Sequence, residues 1–210
     1  MANFPGLSEK PKMANRIFVN IKNGQIVVKD PDTHEDVGFS SITGHLRGIT
    51  THTATFNNSA QPMGFYDLEI VNGDVTYILS VSQDGGVARQ LINSLASIKD
   101  FSKPIIIEPW MSKPTADKKP YQNVSVYLGQ RDDAHRLKWA VELPKAQWIT
   151  VGRQQVLDTS EVLKALDDLV AGINNSMPNK SGAAEGVKPT DVASGYVKAS
   201  GTDTNDDLPF

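Results

Sequence analysis

The sequence predicts a mainly β, α+β fold, and three features of its pattern lead to that class. Asn-Gly occurs twice between apolar runs, at Asn23-Gly24 and Asn72-Gly73, and this pair favours the two-residue turn of a β-hairpin. Two further runs alternate between apolar and polar residues, as strands with one buried face do. Two stretches place apolar residues at helical spacing. We therefore expect one sheet-based domain over residues 1–175 with two packed helices.

Each hairpin predicts its own register, because a two-residue turn fixes every cross-strand partner. For the first hairpin, over residues 16–29, the expected opposite pairs are Ile21 with Ile26 and Val19 with Val28. For the second they are Ile70 with Val75, Leu68 with Tyr77 and Tyr66 with Leu79. The pairs of each hairpin are apolar and share one side, so that side is expected to face the core.

The remaining elements follow from apolar periodicity along the chain. In order they are a long strand over 39–56 that bends or bulges near Gly44 and Gly48, a helix opening at 84–86, strands over 103–111 and 121–128, a short strand over 137–141, and a helix opened by a capping box at 158–161. In the strand over 121–128, the residues expected to face inward are Val124, Val126 and Leu128. Those expected to face outward are Tyr121, Asn123, Ser125 and Tyr127. Trp148 is expected to pack against the last helix.

The order of these elements is typical of one barrel architecture. A long bent strand, a hairpin, a helix and two more strands follow the order of the oligonucleotide-binding (OB) fold, in which the helix lies between the third and fourth strands. We therefore predict a five-stranded OB-fold barrel with an additional N-terminal hairpin in residues 1–38 and a C-terminal helix. Other mixed α+β domains share this order, so strand order alone leaves the fold open.

The charge of the chain is unevenly distributed. Its 210 residues carry 21 basic and 24 acidic side chains, a net charge of -3. Residues 1–84 hold 6 basic and 9 acidic residues (-3), residues 85–155 hold 11 and 6 (+5), and residues 156–210 hold 4 and 9 (-5). A basic middle followed by an acidic end is typical of a body that binds polyanions and carries an acidic tail. Solvated faces also vary in sign in other proteins, so the charge alone leaves both interpretations open.

Several classes of protein are not expected from this composition. The chain has no cysteine, which excludes disulfides, thiolate zinc sites and a cysteine nucleophile. No apolar run reaches the ~18 residues of a membrane helix, and the N-terminus lacks a signal-peptide pattern. We therefore expect a cytoplasmic protein, in the host cytoplasm if a phage encodes it, without a membrane partner. The four histidines and the acidic run at 30–36 show no metal-ligand spacing, and no nucleotide-binding or nucleophile motif is present. We expect no metal, no cofactor and no enzymatic activity.

The most specific motif is the end of the chain. Residues 176–205 are rich in Gly, Ser, Ala, Pro, Thr and Asn without periodicity, which predicts a flexible linker. The chain then ends in Asp206-Asp207-Leu208-Pro209-Phe210. This ending resembles the acidic tip of bacterial and phage single-stranded DNA-binding proteins, which follows a similar linker in that family. Here a hairpin precedes the barrel and the acidic run is short, which points to a divergent, bacteriophage-encoded member.

The resemblance implies a function and two kinds of partner. Proteins of this family coat and protect single-stranded DNA without sequence specificity during replication, recombination and repair. Their tip recruits other proteins of replication and recombination, and the docking residues here would be Asp206, Asp207, Leu208, Pro209 and Phe210. A terminal aromatic ring beside a carboxylate suits an apolar pocket with a basic rim. The oligomeric state does not carry over from the family, so a homo-oligomer stays open.

Residues 110–139 supply most of the candidate DNA-binding side chains. Binding of single strands without sequence preference needs cations along the backbone path and aromatic faces for base stacking. The candidates are Arg47, Phe56, Trp110, Lys113, Lys118, Lys119, Tyr121, Tyr127, Arg131, Arg136, Lys138 and Trp139. Any single aromatic residue among them could equally be a half-buried packing residue, so the prediction depends on the cluster.

Two other functions are compatible with the sequence. A β-rich structural or assembly protein of a phage, with no nucleic-acid role, would use its N-terminal hairpins for subunit contacts. A nuclease or polymerase accessory factor would instead show metal-dependent strand cleavage.

Overall fold

The computed structural model describes residues 15–55, 62–114, 119–152 and 154–178. Its strands within these ranges are β1 (Asn15–Lys22), β2 (Gln25–Lys29), β3 (Asp36–Phe39), β4 (Ile42–Ala54), β5 (Met63–Asn72), β6 (Val75–Ser82), β7 (Ile105–Met111), β8 (Gln122–Leu128), β9 (Gln147–Val151) and β10 (Gln154–Asp158). The helices are α1 (Gly86–Leu95) and α2 (Ser160–Ser176), and a short 3-10 turn covers Asp133–His135. Neither described α-helix is long and apolar enough to cross a membrane.

Eight of the strands form one sheet that curls into a half-barrel. Their order is β3-β2-β1-β6-β5-β4-β7-β8, and every pairing is antiparallel except that of β1 with β6. Although β2 and β7 are far apart in this order, the turn between β1 and β2 reaches the β7–β8 hairpin. The Gly24 N–H donates to Gln122 Oε1 at 3.2 Å, and a Cβ on Gly24 would lie 2.9 Å from the Met111 nitrogen. Only glycine fits this close approach, which brings the two ends of the sheet together.

The half-barrel and the two helices share one apolar core. Alternating strand residues such as Leu68, Ile70 and Leu79 are fully buried, as are Leu91 and Ile92 of α1. The strands predicted over 103–111 and 121–128 and the two predicted helices are present as β7, β8, α1 and α2. The predicted mainly β, α+β class is therefore confirmed, with a barrel-like sheet.

α2 is held against β4 and β5 by side-chain hydrogen bonds as well as by its apolar stripe. The buried residues of that stripe are Val162, Leu166, Val170 and Ile173. The Tyr66 hydroxyl donates to Asp167 Oδ1 at 2.8 Å, and burial together with this carboxylate raises the pKa of Tyr66. Asn174 Nδ2 donates to the Ile49 carbonyl at 2.8 Å, and the Ile49 N–H donates to Asn174 Oδ1 at 3.0 Å. β7 pairs with β4 only from Ile42 to Gly44. Further along the same strand, the Asn174 side chain bonds the backbone N–H and carbonyl of Ile49, which β7 does not reach.

The first predicted hairpin is confirmed, whereas the second has the predicted inward face but a different register. The observed pairs of the first are Ile21 with Ile26 and Val19 with Val28. Those of the second are Ile70 with Tyr77, Leu68 with Leu79 and Tyr66 with Val81, so the predicted partners were wrong by two residues. The two turn residues are Gly73 and Asp74. Gly73 has a φ of 59° and is the first of the two, which is where a type II′ turn has its glycine. Because the shift is two residues, the same side chains still face the core.

The long strand predicted over 39–56 is shorter at its start and has the expected irregularity. It begins at Ile42, because Phe39 belongs to β3 at the edge of the sheet. The pairing of β4 with β5 shifts at Arg47, just before Gly48, and Arg47 is the extra residue of a β-bulge. The predicted bulge is therefore confirmed.

The chain between β8 and α2 differs most from the prediction. The short strand predicted over 137–141 was wrong, since no strand forms there and an isolated bridge pairs Arg136 with Tyr127. The packing predicted for Trp148 was also wrong. Trp148 is 68% exposed on β9, which forms a separate two-stranded sheet with β10. This hairpin was not predicted, because its apolar residues occupy both faces and give no inward side to recognise.

Candidate nucleic-acid interface

One face of the β7–β8 ladder carries three of the predicted aromatic residues. Trp110 pairs with Asn123, and alternation along β8 puts Tyr127 on the same face. Tyr121 lies just before β8, two residues from Asn123, and is exposed. Asn123 and Ser125 share this outward face but are buried. Trp110 covers Ser125, because its indole Nε1 donates to Ser125 Oγ at 3.2 Å.

The outer edge of β8 is covered by the chain that follows the strand. The Leu137 N–H donates to the Val126 carbonyl at 2.8 Å. The neighbouring residue Arg136 forms the isolated bridge with Tyr127. These contacts satisfy an edge that would otherwise offer unpaired backbone groups, and they hold the segment 136–139 beside β8.

α1 contributes a polar stripe that faces the same edge. Gln90 Oε1 accepts from the Val124 N–H at 3.0 Å, and Gln90 Nε2 donates to Asn123 Oδ1 at 3.0 Å. Asn93 and Ser94 follow at the spacing that places them on the same side of the helix. α1 therefore uses one side for the apolar core and another to hold β8.

Asn93 anchors the segment that contains Trp139. Its side chain is fully buried, and its Nδ2 donates to the Val141 carbonyl at 2.8 Å. Its Oδ1 accepts from the Ala140 N–H at 2.8 Å and from the Val141 N–H at 3.1 Å. The sequence prediction missed Asn93 and Gln90. The helical pattern marks both as polar residues beside the apolar stripe of an amphipathic helix, but it does not identify the groups that they bond.

An open cleft of about 560 Å³ lies between α1, β8 and the segment 136–139. Trp110, Arg136, Lys138 and Trp139 line it, so the structure brings four of the predicted site residues together. Trp110 is 41% exposed and Trp139 is 56% exposed. We name this feature, with those four residues, the Trp110–Trp139 cleft.

The charge of the cleft depends on which neighbouring ions are paired. Arg136 and Lys138 supply positive charge, and Asp133 is the acidic residue that lines the cleft with them. Arg131 is different, because its guanidinium donates two hydrogen bonds to the Glu108 carboxylate, one of them from Nε to Oε2 at 2.8 Å. This pairing raises the pKa of Arg131 and neutralises its charge next to the β7–β8 face.

The other predicted site residues lie outside the cleft. Lys113, Lys119 and Tyr121 are exposed at the loop end of the β7–β8 hairpin, the same end as Trp110. The base of this loop is closed, because the Ser112 N–H donates to the Tyr121 carbonyl at 2.9 Å. Arg47 is exposed at the bulge of β4 and does not line the cleft. The remaining candidates, Phe56, Lys118 and the tip at 206–210, lie outside the described residues, as does the linker from residue 179.

The outer face of β5 is acidic by contrast. Asp67 and Glu69 alternate with buried core residues and therefore lie on this face, where both are half-buried. The Ser80 hydroxyl donates to the Asp67 carboxylate, and His52 Nδ1 lies 2.7 Å from Asp67 Oδ2. The His52 ring also stacks on Phe65, with ring centroids 5.1 Å apart. Carboxylates on this face disfavour the approach of phosphate groups.

No protein-family model matches the chain, and comparisons with curated proteins and with solved structures find no significant match. Across the described ranges, no group of three or more His, Asp or Glu side chains is placed to hold a metal ion. Function is therefore inferred from the geometry of the Trp110–Trp139 cleft and from the terminal motif.

Proposed function

We propose that this chain is a non-catalytic protein that binds single-stranded DNA without sequence specificity through the Trp110–Trp139 cleft. The observation that carries the proposal is the placement of two exposed indoles around one cleft together with Arg136 and Lys138. A protein of this kind coats and protects exposed strands during replication, recombination and repair.

Each part of the cleft suits a single strand. Exposed indole faces stack on any base, and such stacking contributes about 1–3 kcal/mol per base. Arg136 and Lys138 lie beside the indoles, where they attract backbone phosphates. The buried polar groups of Asn123 and Ser125 already bond to Gln90 and Trp110. Stacking and charge, rather than readout of base edges, are therefore the main contacts that the cleft offers.

We also propose that β4 to β8 form an OB-type barrel. β4 lies between β5 and β7 in the sheet, and α1 connects β6 to β7, in agreement with the expected element order. β1 pairs with β6, so the N-terminal hairpin extends this barrel sheet. OB folds use the face of the second and third strands and the adjoining loops. Here the corresponding face carries Asp67 and Glu69, and we place the bound strand along β7 and β8 instead.

Residues 206–210 supply the second part of the proposed function, the docking of replication and recombination proteins. The terminal Phe210 combines an apolar ring with an α-carboxylate, and Asp206 and Asp207 add charge for a basic rim. Pro209 restricts the backbone, which lowers the entropy that docking costs. The Gly- and Ser-rich residues before the tip give it reach from the DNA-binding body.

A titration of tryptophan fluorescence with oligo-dT tests the DNA-binding proposal. We expect a stacked strand to quench the exposed indoles of Trp110 and Trp139. A duplex of equal length should bind much more weakly, because its bases are already stacked inside the helix. The logarithm of the oligo-dT affinity should fall linearly with the logarithm of salt concentration. Equal affinity for the duplex, or no binding of oligo-dT at low salt, would overturn the proposal.

A further inference from the structure

The half-barrel has an open apolar pocket of about 470 Å³ on its inner face. Ile17 of β1 and Tyr77 of β6 are register partners that both line it. Val37 and Phe39 of β3 line it from the edge of the sheet, and they are 41% and 49% exposed. Among the described strands β3 pairs with β2 alone, so this end of the apolar surface faces solvent. We call this pocket, with those four residues, the β3 pocket.

The β3 pocket is continuous with the core of the half-barrel. Val19 and Ile26 line it and are buried among the core residues. Its volume lies within the roughly 300–1,000 Å³ that ligand pockets in proteins have. Contiguous exposed apolar surface on a folded protein usually marks a place that another molecule or chain segment covers. An occupant of the pocket can therefore extend the apolar core to the edge of the sheet.

The rim of the β3 pocket is acidic. Residues 30–36 connect β2 to β3 and contain four carboxylates. One of them, Asp36, pairs with Lys22 at 2.8 Å and with Lys29, which lines the pocket, at 3.8 Å. Within the described ranges the other three form no ion pair, and one of them, Asp30, lines the pocket. The rim therefore favours an occupant with positive charge and repels an acidic one.

Residues 4–13 have a composition that complements both the pocket and its rim. They read FPGLSEKPKM and lie outside the described residues. Their large apolar side chains and their lysines are Phe4, Leu7, Met13, Lys10 and Lys12. The two lysines outnumber the single acidic residue of this segment. The tip at 206–210 also has apolar residues, but the acidic rim repels its two aspartates. Charge therefore favours residues 4–13 over the tip as the occupant.

Residues 4–13 join the sheet beside the β3 pocket. β1 begins at Asn15, which pairs with Val75 at the start of β6, and Ile17 of the same strand lines the pocket. An extended chain advances about 3.3 Å per residue, so the residues between Phe4 and Asn15 can reach across the pocket and its rim. A tethered segment acts at an effective concentration on the order of millimolar, so weak contacts are enough to hold it.

We infer that residues 4–13 bind in the β3 pocket of the same chain and cover the open end of its half-barrel. Phe4 and Leu7 enter the apolar pocket, and the two lysines lie beside the acidic rim. The β3 pocket and the Trp110–Trp139 cleft have no lining residue in common, so this contact is separate from the proposed DNA binding.

Disulfide trapping in the full chain tests the inference. The chain has no cysteine, so Ser8→Cys with Ser41→Cys introduces one thiol next to Leu7 and one in the lining of the β3 pocket. We expect mild oxidation to join the two thiols within one chain, because the bound segment holds them within reach of each other. The matched control adds Phe4→Ser and Leu7→Ser, which keep the tether but remove its apolar anchors. These two changes should slow trapping at least about tenfold.

Three results of the trapping experiment would contradict the inference. Equal trapping rates with and without Phe4 and Leu7 mean that the tether alone brings the thiols together. Disulfides between two chains, in a yield that rises with protein concentration, mean that the occupant is another copy of the chain. The absence of any disulfide within one chain means that residues 4–13 do not lie in the pocket.

Hydrogen exchange supplies a second measurement, without introduced thiols. Because the bound segment covers β3, we expect Phe4→Ser with Leu7→Ser to speed amide exchange in Asp36–Phe39 about tenfold. The control is Val187→Ser with Val192→Ser, which removes two apolar residues from the predicted linker. Oligo-dT affinity should be unchanged in both variants. Equal exchange of β3 in the two variants rules the contact out, and a loss of oligo-dT affinity with Phe4 and Leu7 would place this segment at the cleft instead.

Discussion

Asn93 of α1 and Val141 form a closed pair of hydrogen bonds. Asn93 Nδ2 donates to the Val141 carbonyl at 2.8 Å, and the Val141 N–H donates to Asn93 Oδ1 at 3.1 Å. Because Trp139 is two residues earlier in the chain, a buried helical side chain holds the backbone on which this exposed indole sits. The rigid helix thereby limits the positions that Trp139 can take relative to Trp110, which favours base stacking on a preformed surface.

Replacing Asn93 with alanine should therefore weaken both the fold and the proposed DNA binding. The substitution removes the side-chain partner of the Val141 N–H and carbonyl, whereas the Ala140 N–H keeps the Asn93 backbone carbonyl as an acceptor at 3.2 Å. We expect a loss of about 2 kcal/mol in the free energy of unfolding. Affinity for oligo-dT should fall about tenfold because Trp139 must be ordered upon binding. Urea unfolding and fluorescence titration measure the two effects.

Asn174→Ala is the matched control for this experiment. Asn174 also bonds a backbone N–H and carbonyl through its amide, but it joins α2 to Ile49. We expect a comparable loss of stability, about 1–2 kcal/mol, with little change in DNA affinity. If both variants lose DNA affinity to the same extent, Asn93 affects binding only through general stability.

The two indoles of the cleft should each contribute to strand binding. We expect Trp110→Ala and Trp139→Ala to lower oligo-dT affinity by about 10- to 100-fold each, as loss of one stacked base does. Phe18→Ala is the control, since Phe18 is an aromatic residue of β1 with 66% exposure and does not line the cleft. Fluorescence anisotropy with a labelled oligonucleotide avoids the loss of the tryptophan signal. An effect of Phe18→Ala as large as that of Trp139→Ala would place the strand elsewhere.

Arg136 and Lys138 should change the salt dependence of binding. If each contacts one phosphate, Arg136→Gln and Lys138→Gln should each reduce the slope of log affinity against log salt by about 0.7. Lys29→Gln is the control, because Lys29 lies on β2 and pairs with Asp36 at 3.8 Å. Anisotropy titrations at four or more salt concentrations give the slopes. Unchanged slopes for both cleft variants would mean that neither side chain neutralises a phosphate.

Local sequence patterns predicted much of the fold, and contacts distant in sequence account for most of the differences. The Asn23-Gly24 hairpin was predicted in register because its turn is unambiguous. In the other hairpin, Asn72-Gly73 and Gly73-Asp74 are both acceptable turns, and packing of the whole sheet selects the second. The β9–β10 hairpin was missed because apolar residues on both of its faces give no one-sided alternation.

The candidate site was predicted as a set of residues rather than as an arrangement. Trp110, Arg136, Lys138 and Trp139 were candidates because of residue type and their closeness in sequence. They are assembled by the contacts of the segment 136–139 with β8 and by Asn93, which bonds Val141 almost fifty residues later. The partner of Asn93 cannot be read from a local pattern. The ion pair that neutralises Arg131 joins this residue, which follows β8, to the Glu108 carboxylate of β7, so the sequence alone counted that arginine as a binding cation.

Deleting residues 206–210 should separate the two proposed activities. These five residues are acidic and, in the proposed function, dock proteins rather than DNA, so their removal should leave oligo-dT affinity unchanged or slightly tighter. Pull-down of a replication or recombination protein should be lost, because the apolar ring and the carboxylates are gone. The control is a chain in which Phe210 alone is replaced by alanine, which retains the charge. Loss of DNA affinity on deletion would show that the tip itself contributes to strand binding.

Glu108→Gln should tighten strand binding, although most substitutions near a binding site weaken it. In the native chain the Glu108 carboxylate holds Arg131 through two hydrogen bonds on the β7–β8 face. The amide keeps the size of the side chain but removes its charge, so Arg131 becomes available to a phosphate and a repulsive charge disappears. We expect higher oligo-dT affinity at low salt and a slope of log affinity against log salt that is steeper by about 0.7. Glu69→Gln on the outer face of β5 removes the same charge away from the cleft and should have a smaller effect. If Glu69→Gln tightens binding as much as Glu108→Gln does, only the net charge of the protein matters, and the strand does not pass Arg131.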